Sequence, residues 1–269
     1  MAYAQINGLN LFYEWHGASH APAIVFVNGL LTDTSSWMPI VSHFDRYHCL
    51  LYDCRGQGLS DKPDAPHTTA QHAGDLVALL NALQIEQAAI IGLSNGGAAA
   101  LRVAAEQPER VAALVVSGAY AQVDGALRAK LTSWISAMDA GGSALRFDVA
   151  TPWVWGETFL NHQYKRLLAF REKGAGLPTS HAHNLIQGAL EYDVFNLLPR
   201  ITAPTLVVVG EEDVLTPPKQ ARAFAAHIPN ARVEVMPNAG HAAALEQPDN
   251  FATLAHSWID QSRPLAANV

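Results

Sequence analysis

The chain has 269 residues, of which 49% are hydrophobic and 15% are charged. This length and composition fit one large α/β domain with a substantial core and exclude a disordered chain. The net charge of −7 argues against nucleic acid as a partner, because that binding depends on basic patches. The N-terminus has no secretion signal, and no apolar run approaches the roughly 20 residues that span a bilayer. We therefore expect a cytoplasmic protein with no membrane partner.

Short apolar runs recur along the chain and predict its strands. Two runs around an Asn7-Gly8 turn predict an N-terminal hairpin. The later runs are apolar on both faces, which is typical of buried parallel strands. They are Ala23–Val27, Cys49–Tyr52, Ala88–Ile91, Val111–Val116, Thr205–Val209 and Val233–Met236. Helical stretches lie between them, so the chain is predicted to be an α/β protein with a mostly parallel, doubly wound sheet.

One long segment, residues 121–199, contains no run typical of a buried strand. We interpret it as a mainly helical cap inserted into a core made of residues 1–120 and 200–269. It follows a strand, and loops at the carboxyl ends of strands border the crevice where ligands bind. Peripheral helices with no part in the site are the alternative. The segment is rich in aromatic residues, and Trp153 and Trp155 are its candidates for substrate binding.

The sequence Gly92-Leu93-Ser94-Asn95-Gly96 matches the G-x-S-x-G pattern. It follows a predicted strand and opens a helix rich in Gly and Ala, which is the context of a nucleophile elbow. In that turn the serine is lifted above the sheet edge, and the flanking glycines avoid a steric clash. Ser94 is therefore the predicted nucleophile, and an N-capping serine is the alternative.

Two further residues complete a candidate triad. A serine hydroxyl is a weak nucleophile until a base takes its proton, and His241 follows the last predicted strand at the same sheet edge. Asp213 follows the preceding strand, which gives the chain order Ser, Asp, His of this type of site. Its role would be to accept the Nδ1 proton and stabilise the imidazolium. Glu211, Glu212 and Asp124 are rival acids.

The predicted oxyanion hole comes from two backbone N–H groups. One belongs to Asn95, directly after the nucleophile, and the other is assigned to Leu30 in the Asn28-Gly29-Leu30 turn. That turn follows the strand Ala23–Val27 and can aim an N–H into the pocket. An ordinary Asn-Gly turn is the alternative.

From Tyr3 to about Ile259, apart from the cap, the chain resembles the α/β-hydrolase superfamily in its compact capped branch. Its loop Asp53-Cys-Arg-Gly-Gln-Gly-Leu-Ser-Asp61 resembles the D-x-R-G-x-G-x-S-D loop of that family. The resemblance implies the α/β-hydrolase fold and a Ser-His-Asp triad at the positions named above.

Within the superfamily, the patterns are most similar to those of 3-oxoadipate enol-lactonases and related esterases. Those proteins often carry Asn in the oxyanion turn, and Asn28 is accordingly a candidate substrate-binding residue. They commonly have Met after the nucleophile, where this chain has Asn95. The turn at Asn28 also resembles that of an acyltransferase of rhamnolipid precursor synthesis, which has the same fold.

These residues predict a serine hydrolase that cleaves a small or medium carboxylic ester or lactone through an acyl-enzyme. A serine at position 94 excludes haloalkane dehalogenases and epoxide hydrolases of this fold, which place an aspartate there. Acyl transfer or perhydrolysis on the same triad is the first alternative, because access of water to the acyl-enzyme decides between them. A non-catalytic ligand-binding protein of the same fold is the second.

No metal, other cofactor or disulfide is expected. The pair His181 and His183 has no third ligand at metal-site spacing. Cys49 and Cys54 lie five apart along a predicted strand and its end, and a strand rises about 3.3 Å per residue, so they are too far apart for a disulfide. The expected partner is a small-molecule ester or lactone.

Overall fold

The computed structural model of the chain describes residues 2–174 and 178–262. Its strands are β1 (Ala2–Ile6), β2 (Leu9–Gly17), β3 (Ala23–Val27), β4 (His48–Tyr52), β5 (Ala88–Leu93), β6 (Val111–Ser117), β7 (Thr205–Gly210) and β8 (Ala231–Met236). They form one sheet in the order β1-β2-β4-β3-β5-β6-β7-β8. The β1–β2 and β2–β4 pairs are antiparallel, and all other pairs are parallel. The predicted mostly parallel, doubly wound sheet is therefore confirmed.

The helices lie mainly in the connections between parallel strands. They are α1 (Met38–Val41), α2 (Thr69–Ala82), α3 (Asn95–Glu106), α4 (Gly125–Val154), α5 (Glu157–Gly174), α6 (Ser180–Ala189), α7 (Pro218–Ala225), α8 (Ala243–Glu246) and α9 (Pro248–Gln261). Helices α2 and α3 cover one face of the sheet and α1 and α9 the other, each over a cluster of buried apolar side chains. Among the described residues, no helix is long and apolar enough to cross a membrane.

Local chemistry explains where several elements begin and turn. The hairpin between β1 and β2 turns at Asn7 and Gly8, both with positive φ, which matches the twist of the flanking strands. Helix α2 begins with a capping box, in which Thr68 and Gln71 satisfy each other's backbone N–H groups. The hairpin predicted from the Asn7-Gly8 turn is therefore confirmed.

One predicted strand differs from expectation in its environment. The run Val233–Met236 was expected to be buried on both faces, yet β8 is the edge strand and pairs only with β7. Val233 and Val235 are half-buried, whereas every residue of β3, β5 and β7 is buried. An apolar run therefore predicted the strand correctly but not its place in the sheet.

Residues 121–199, called the cap below, lie between β6 and β7 and contain α4, α5, α6 and a short 3-10 helix, Phe195–Arg200. Helix α4 is interrupted at Gly141 and Gly142, and Gly142 has a φ of 69°, which only glycine adopts readily. Leu127 and Leu131 of α4 pack into the same apolar cluster as α2 and α3. The cap is thus joined to the core by shared packing.

The order of the strands creates a crevice. From β3 the chain passes to β4 on one side, and β5 then pairs with the other side of β3. At such a switch point the loops after adjacent strands run to opposite faces of the sheet and leave a gap at their carboxyl ends. The loops after β3 and β5, which carry Leu30 and Ser94, border this gap.

Candidate active site

Ser94 stands on a sharp turn between β5 and α3. Its φ of 52° and ψ of −118° are strained for a residue with a Cβ. A Cβ at position 92 would lie 2.7 Å from the Gly97 backbone, and one at position 96 would lie 2.3 Å from the carbonyl oxygen of Val27. Glycine at both positions therefore lets α3 begin directly against β5 and the end of β3.

Asp213 and His241 reach Ser94 from the loops after β7 and β8. The Nε2 atom of His241 lies 3.0 Å from the Ser94 Oγ atom, and its Nδ1 atom lies 3.1 Å from Asp213 Oδ2. His241 and Asp213 are buried. Such a chain of contacts can take the proton from a serine hydroxyl to Nε2 while the carboxylate holds the other ring nitrogen.

A residue that the sequence argument missed, Thr216, lies beside this pair. Its hydroxyl is 2.9 Å from Asp213 Oδ2 and 2.9 Å from His241 Nδ1, and it also lies 3.1 Å from the Gly118 carbonyl oxygen. Asp213 Oδ1 accepts from the backbone N–H groups of Leu215 and Thr216 at 2.8 Å each. This turn, in which an Asp side chain binds N–H groups two and three residues later, is readable from sequence as an Asx turn.

The rival acids bind elsewhere. The Glu212 carboxylate accepts hydrogen bonds from the backbone N–H and hydroxyl of Thr158, at 2.9 and 2.5 Å, at the start of α5. Asp124 caps α4 by accepting from the Leu127 N–H at 2.8 Å. Among the described residues, the one hydrogen bond that the Glu211 carboxylate accepts is long, 3.4 Å from the Asn238 N–H in the turn after β8. Each of these carboxylates is committed to a structural contact away from the imidazole.

The two N–H groups assigned to the oxyanion hole lie on either side of Ser94. A Cβ on Gly29 would be 3.4 Å from the Ser94 Cβ, so the turn after β3 lies against the nucleophile. Leu30 lines the same cavity as Ser94, and Leu31 has a φ of 63°. Asn95 is the first residue of α3, so its N–H has no acceptor within the helix. Within the described part of the chain, neither N–H donates a hydrogen bond.

Asn28 does not reach the cavity, which corrects its assignment as a substrate-binding residue. Its Nδ2 group donates to the Tyr52 carbonyl at 3.0 Å, and its Oδ1 accepts from the Trp37 indole N–H at 2.7 Å. The residue is 1% exposed. Because both ends of its amide are engaged, Asn28 ties the end of β3 to β4 and to the following loop.

A mostly apolar cavity of about 300 Å³ lies over Ser94 and His241. The cap supplies much of its wall, and Trp155 is part of the lining, stacked on Phe159 with ring centroids 4.8 Å apart. Trp153 is not among the lining residues. Its ring lies 5.3 Å from the Lys130 ammonium instead, so the structure brings only one of the two tryptophans to the cavity.

Other candidate ligands and nucleophiles take no part in the site. Among the described residues, no group of three His, Cys, Asp or Glu side chains could hold a metal ion. Cys49 and Cys54 are free and buried, and burial raises the pKa of both thiols to about 12. Thiols with such pKa values carry almost no nucleophilic thiolate at neutral pH.

Comparison with known proteins identifies the family of the chain. Residues 22–248 match the family of the alpha/beta hydrolase fold. The chain belongs to this family, and it is a hydrolase similar to lactonases and esterases.

Among curated relatives, 3-oxoadipate enol-lactonase 2 of Acinetobacter baylyi is 31% identical over 264 residues, covering 92% of this chain and 91% of the relative. The protein named "Putative carbamate hydrolase RutD" of a Caulobacter species is 29% identical over 247 residues, covering 90% of this chain and 92% of the relative. The enol-lactonase structure from Burkholderia xenovorans has a TM-score of 0.88 at 28% identity and covers 96% of this chain and 100% of its own. An alpha/beta hydrolase from a deep-sea metagenome library reaches a TM-score of 0.92 at 28% identity, with full coverage of both chains.

Proposed function

We propose that this hydrolase cleaves a small or medium carboxylic ester or lactone through an acyl-enzyme on Ser94. The observation that carries the proposal is the line of contacts from Ser94 Oγ through His241 to Asp213, at 3.0 and 3.1 Å, beneath an apolar cavity. The similarity to enol-lactonases supports the choice of an ester or lactone bond. The similarity to a carbamate hydrolase concerns the same class of carbonyl chemistry.

In the first half of the proposed reaction, Ser94 Oγ attacks the substrate carbonyl carbon while His241 Nε2 takes the hydroxyl proton. The carbonyl oxygen becomes an oxyanion, which the N–H groups of Leu30 and Asn95 stabilise. His241 then gives its proton to the leaving alkoxide as the ester bond breaks. If the substrate is a lactone, this alkoxide stays attached to the acyl group.

In the second half, His241 takes a proton from water, and the resulting hydroxide attacks the acyl-enzyme carbonyl. The second oxyanion collapses, the acid product leaves, and the proton returns to Ser94. Asp213 stays ionised throughout and holds the Nδ1–H of the imidazole, and Thr216 keeps the pair in place. Acyl transfer and perhydrolysis would share the first half and differ only in the acceptor, an alcohol or hydrogen peroxide in place of water.

The cap is the proposed lid of this site. Helix α4 ends against the loop that carries His241, where the Ala242 N–H donates to the Val154 carbonyl at 3.0 Å. On the other side of that loop, the Glu246 carboxylate accepts from the N–H groups of Gly240 and Gly156, at 3.0 and 3.3 Å. These contacts join the cap to the catalytic loop, so the cap can hold the acyl or alcohol group while the core performs the chemistry.

The test is the variant Ser94→Ala, measured on 4-nitrophenyl esters and simple lactones and by labelling with a fluorophosphonate. We expect turnover to fall by at least about 10⁴-fold and labelling to disappear, because the nucleophile is lost. Ser117→Ala is the matched control, since Ser117 ends the neighbouring strand and its buried hydroxyl has no partner among the described residues. Labelling that persists in Ser94→Ala, or vanishes equally in Ser117→Ala, would contradict the proposal.

A further inference from the structure

The side chain of Asn95 makes two buried hydrogen bonds that have no part in the steps described above. Asn95 is 3% exposed, and its Oδ1 atom accepts from the Thr69 hydroxyl at 2.7 Å and from the Tyr120 hydroxyl at 2.8 Å. Thr69 and Tyr120 are buried as well. Thr69 is the first residue of α2, and Tyr120 follows β6. Three separate parts of the chain therefore meet at one amide oxygen.

The backbone at this position needs such support. The Asn95 N–H lies in the peptide plane that follows Ser94, whose φ of 52° and ψ of −118° are strained, and strain persists only where the surroundings hold it. The Ser94 end of this plane is held by backbone contacts. The Ser94 N–H donates to the Ser117 carbonyl at 2.8 Å, and the Ser94 carbonyl accepts from the Ala98 N–H at 2.9 Å. The other end of the rigid plane is the Asn95 Cα atom, which the side-chain contacts hold.

Tyr120 is itself fixed at the place where the cap begins and ends. Its ring packs edge-on against that of Tyr192, with centroids 5.8 Å apart, and the Tyr192 hydroxyl donates to the Ala98 carbonyl at 2.6 Å. The two ends of the cap pair here, since the Val123 N–H donates to the Tyr192 carbonyl at 2.9 Å. The two tyrosines thus contact the first turn of α3 at both Asn95 and Ala98.

The amide oxygen of Asn95 is fully engaged by its two contacts. A carboxamide oxygen has two lone pairs, and two hydroxyl groups donate to this one. The oxygen is therefore not free to bind a substrate, and the Asn95 side chain does not line the cavity over Ser94. An apolar side chain in its place would leave two buried hydroxyl groups without an acceptor, which is unfavourable. An effect of this side chain on the reaction must act through the backbone.

We propose that the Asn95 side chain positions the oxyanion hole, because its hydrogen bonds with Thr69 and Tyr120 hold the Asn95 N–H in the direction from which it donates to the oxyanion. This inference rests on the proposed function of Ser94. The oxyanion exists only in the transition states and the tetrahedral intermediates, and not in the bound substrate. Loss of the contacts should therefore lower kcat and leave KM nearly unchanged.

The first experiment compares Thr69→Val with Thr69→Ser on 4-nitrophenyl butyrate. Thr69 lines neither the cavity over Ser94 nor the outer cavity of about 360 Å³ that adjoins it, so its replacement removes no contact with a substrate there. Thr69→Val keeps the shape without the hydroxyl and should lower kcat about 3- to 10-fold, whereas Thr69→Ser keeps the hydroxyl and should stay within about twofold of the wild type. Asn95→Leu loses both contacts and should lower kcat about 10- to 100-fold.

Thr205→Val is the matched control for stability. Thr205 is buried, and its hydroxyl donates to the Ala203 carbonyl at 2.9 Å. It is the first residue of β7, at the end of the strand away from Asp213. A thermal melt should show similar losses of Tm in Thr69→Val and Thr205→Val, because each loses one buried hydrogen bond. Only Thr69→Val should lose kcat, and a loss of Tm with wild-type kcat in that variant would overturn the proposal.

The second experiment measures the oxyanion contact without turnover. When 1,1,1-trifluoro-2-heptanone binds, Ser94 Oγ forms a bond to its carbonyl carbon, the hydroxyl proton passes to His241, and the carbonyl oxygen becomes an oxyanion. The matching alcohol, 1,1,1-trifluoro-2-heptanol, fills the cavity and cannot form this adduct. By calorimetry, Asn95→Leu and Thr69→Val should weaken binding of the ketone by about the factor by which kcat falls, and should leave binding of the alcohol unchanged.

The two experiments separate failure of this inference from failure of the proposed function. If the wild type hydrolyses esters and both variants keep its affinity for the ketone, the positioning role of Asn95 is wrong and the hydrolase proposal stands. If the wild type binds the ketone but hydrolyses no ester, the proposed function is wrong, and the weaker binding of the ketone by the variants still supports the role of Asn95. A wild type that neither hydrolyses an ester nor binds the ketone would overturn both.

Discussion

The edge of the sheet that carries the proposed triad and the cap wall opposite it differ in how their polar groups are satisfied. At the edge, Ser94, His241 and Asp213 are joined by short contacts, with Thr216 beside them. In the cap wall, Arg146 lines the same cavity, and its buried Nε atom has no hydrogen-bond partner among the described residues. The polar groups at the edge are thus satisfied within the protein, whereas this donor of the cap wall is not.

The sheet edge and the cap wall also differ in the secondary structure that holds their residues in place. The residues at the edge follow β5, β7 and β8, and a sheet fixes the ends of its strands relative to one another. The cap wall depends on α4, which is broken at Gly141 and Gly142 and is held at its end by the loop of His241. The proposed reaction is thus assigned to groups that the sheet holds, and the proposed selection of the substrate to the cap.

The largest expected effect concerns the acid of the proposed triad at the sheet edge. Asp213→Asn should lower kcat by about 10⁴-fold, by analogy with the same change in a serine protease, because Asn no longer holds the productive imidazole tautomer. Glu212→Gln is the control and should change the rate little, since Gln keeps an acceptor oxygen for Thr158. Steady-state kinetics on one ester measure both variants. If the two have equal effects, or if Asp124→Asn is the more damaging, the acid is wrongly assigned.

The same contrast explains what the sequence could predict. The sheet and the edge were readable because buried parallel strands are short apolar runs, and because motif residues after their carboxyl ends must meet at one edge. Thr216 was missed although the Asx turn at Asp213 is a local signal. Asn28 was misjudged because a turn residue can direct its side chain to the core as easily as to the pocket.

The sequence could not show which side chains of the cap line the cavity, for a geometric reason. Trp153 lies in the last turn of α4, and Trp155 is the residue directly after the helix. Each residue turns a helix by about 100°, so two side chains that leave it two positions apart point in nearly opposite directions. Composition could name both as candidates, but it could not say which one faces the cavity. Arg146 gave no signal either, because a charged residue within a helix is usually on its solvated face.

The core contains a buried titratable group, His72 of α2, that lines neither of the two cavities described above. Among the described residues, neither of its ring nitrogens has a hydrogen-bond partner. Burial, with the nearby Arg55 and His67, lowers the pKa of His72 from 6.5 to about 3. The folded state therefore binds this proton less readily than the unfolded state, and the stability contributed by His72 is lost as the pH falls below about 6.5.

We expect His72→Leu to reduce this acid sensitivity. Between pH 7 and pH 5 the variant should lose about 2 kcal/mol less free energy of unfolding than the wild type, a factor of about 30 in the folding equilibrium. Urea titrations at the two pH values measure the difference. His20→Leu, at an exposed position, is the control and should follow the wild type. An identical pH dependence in His72→Leu and wild type would mean that His72 binds a proton as readily in the folded state as in the unfolded state.

The smallest expected effect separates the two tryptophans of the cap. Trp155 lines the cavity, so Trp155→Ala should raise KM for an octanoate ester about tenfold, the equivalent of about 1.4 kcal/mol of lost apolar contact. The KM for the acetate ester should stay nearly unchanged. Its kcat on acetate should hold because the contacts of Ser94 and His241 are untouched. Kinetics on acetate, butyrate and octanoate esters, with a thermal melt, measure both properties.

Trp153 provides the comparison, because its ring lies against Lys130 and outside the cavity lining. Trp153→Ala should lower the free energy of unfolding by about 2 kcal/mol through lost packing and a lost cation–π contact, with the relative rates across the esters unchanged. Trp155→Ala should thus alter the preference for acyl-chain length, and Trp153→Ala should lower the melting temperature. A changed profile in Trp153→Ala, or an unchanged one in Trp155→Ala, would show that other side chains of the cap form the acyl pocket.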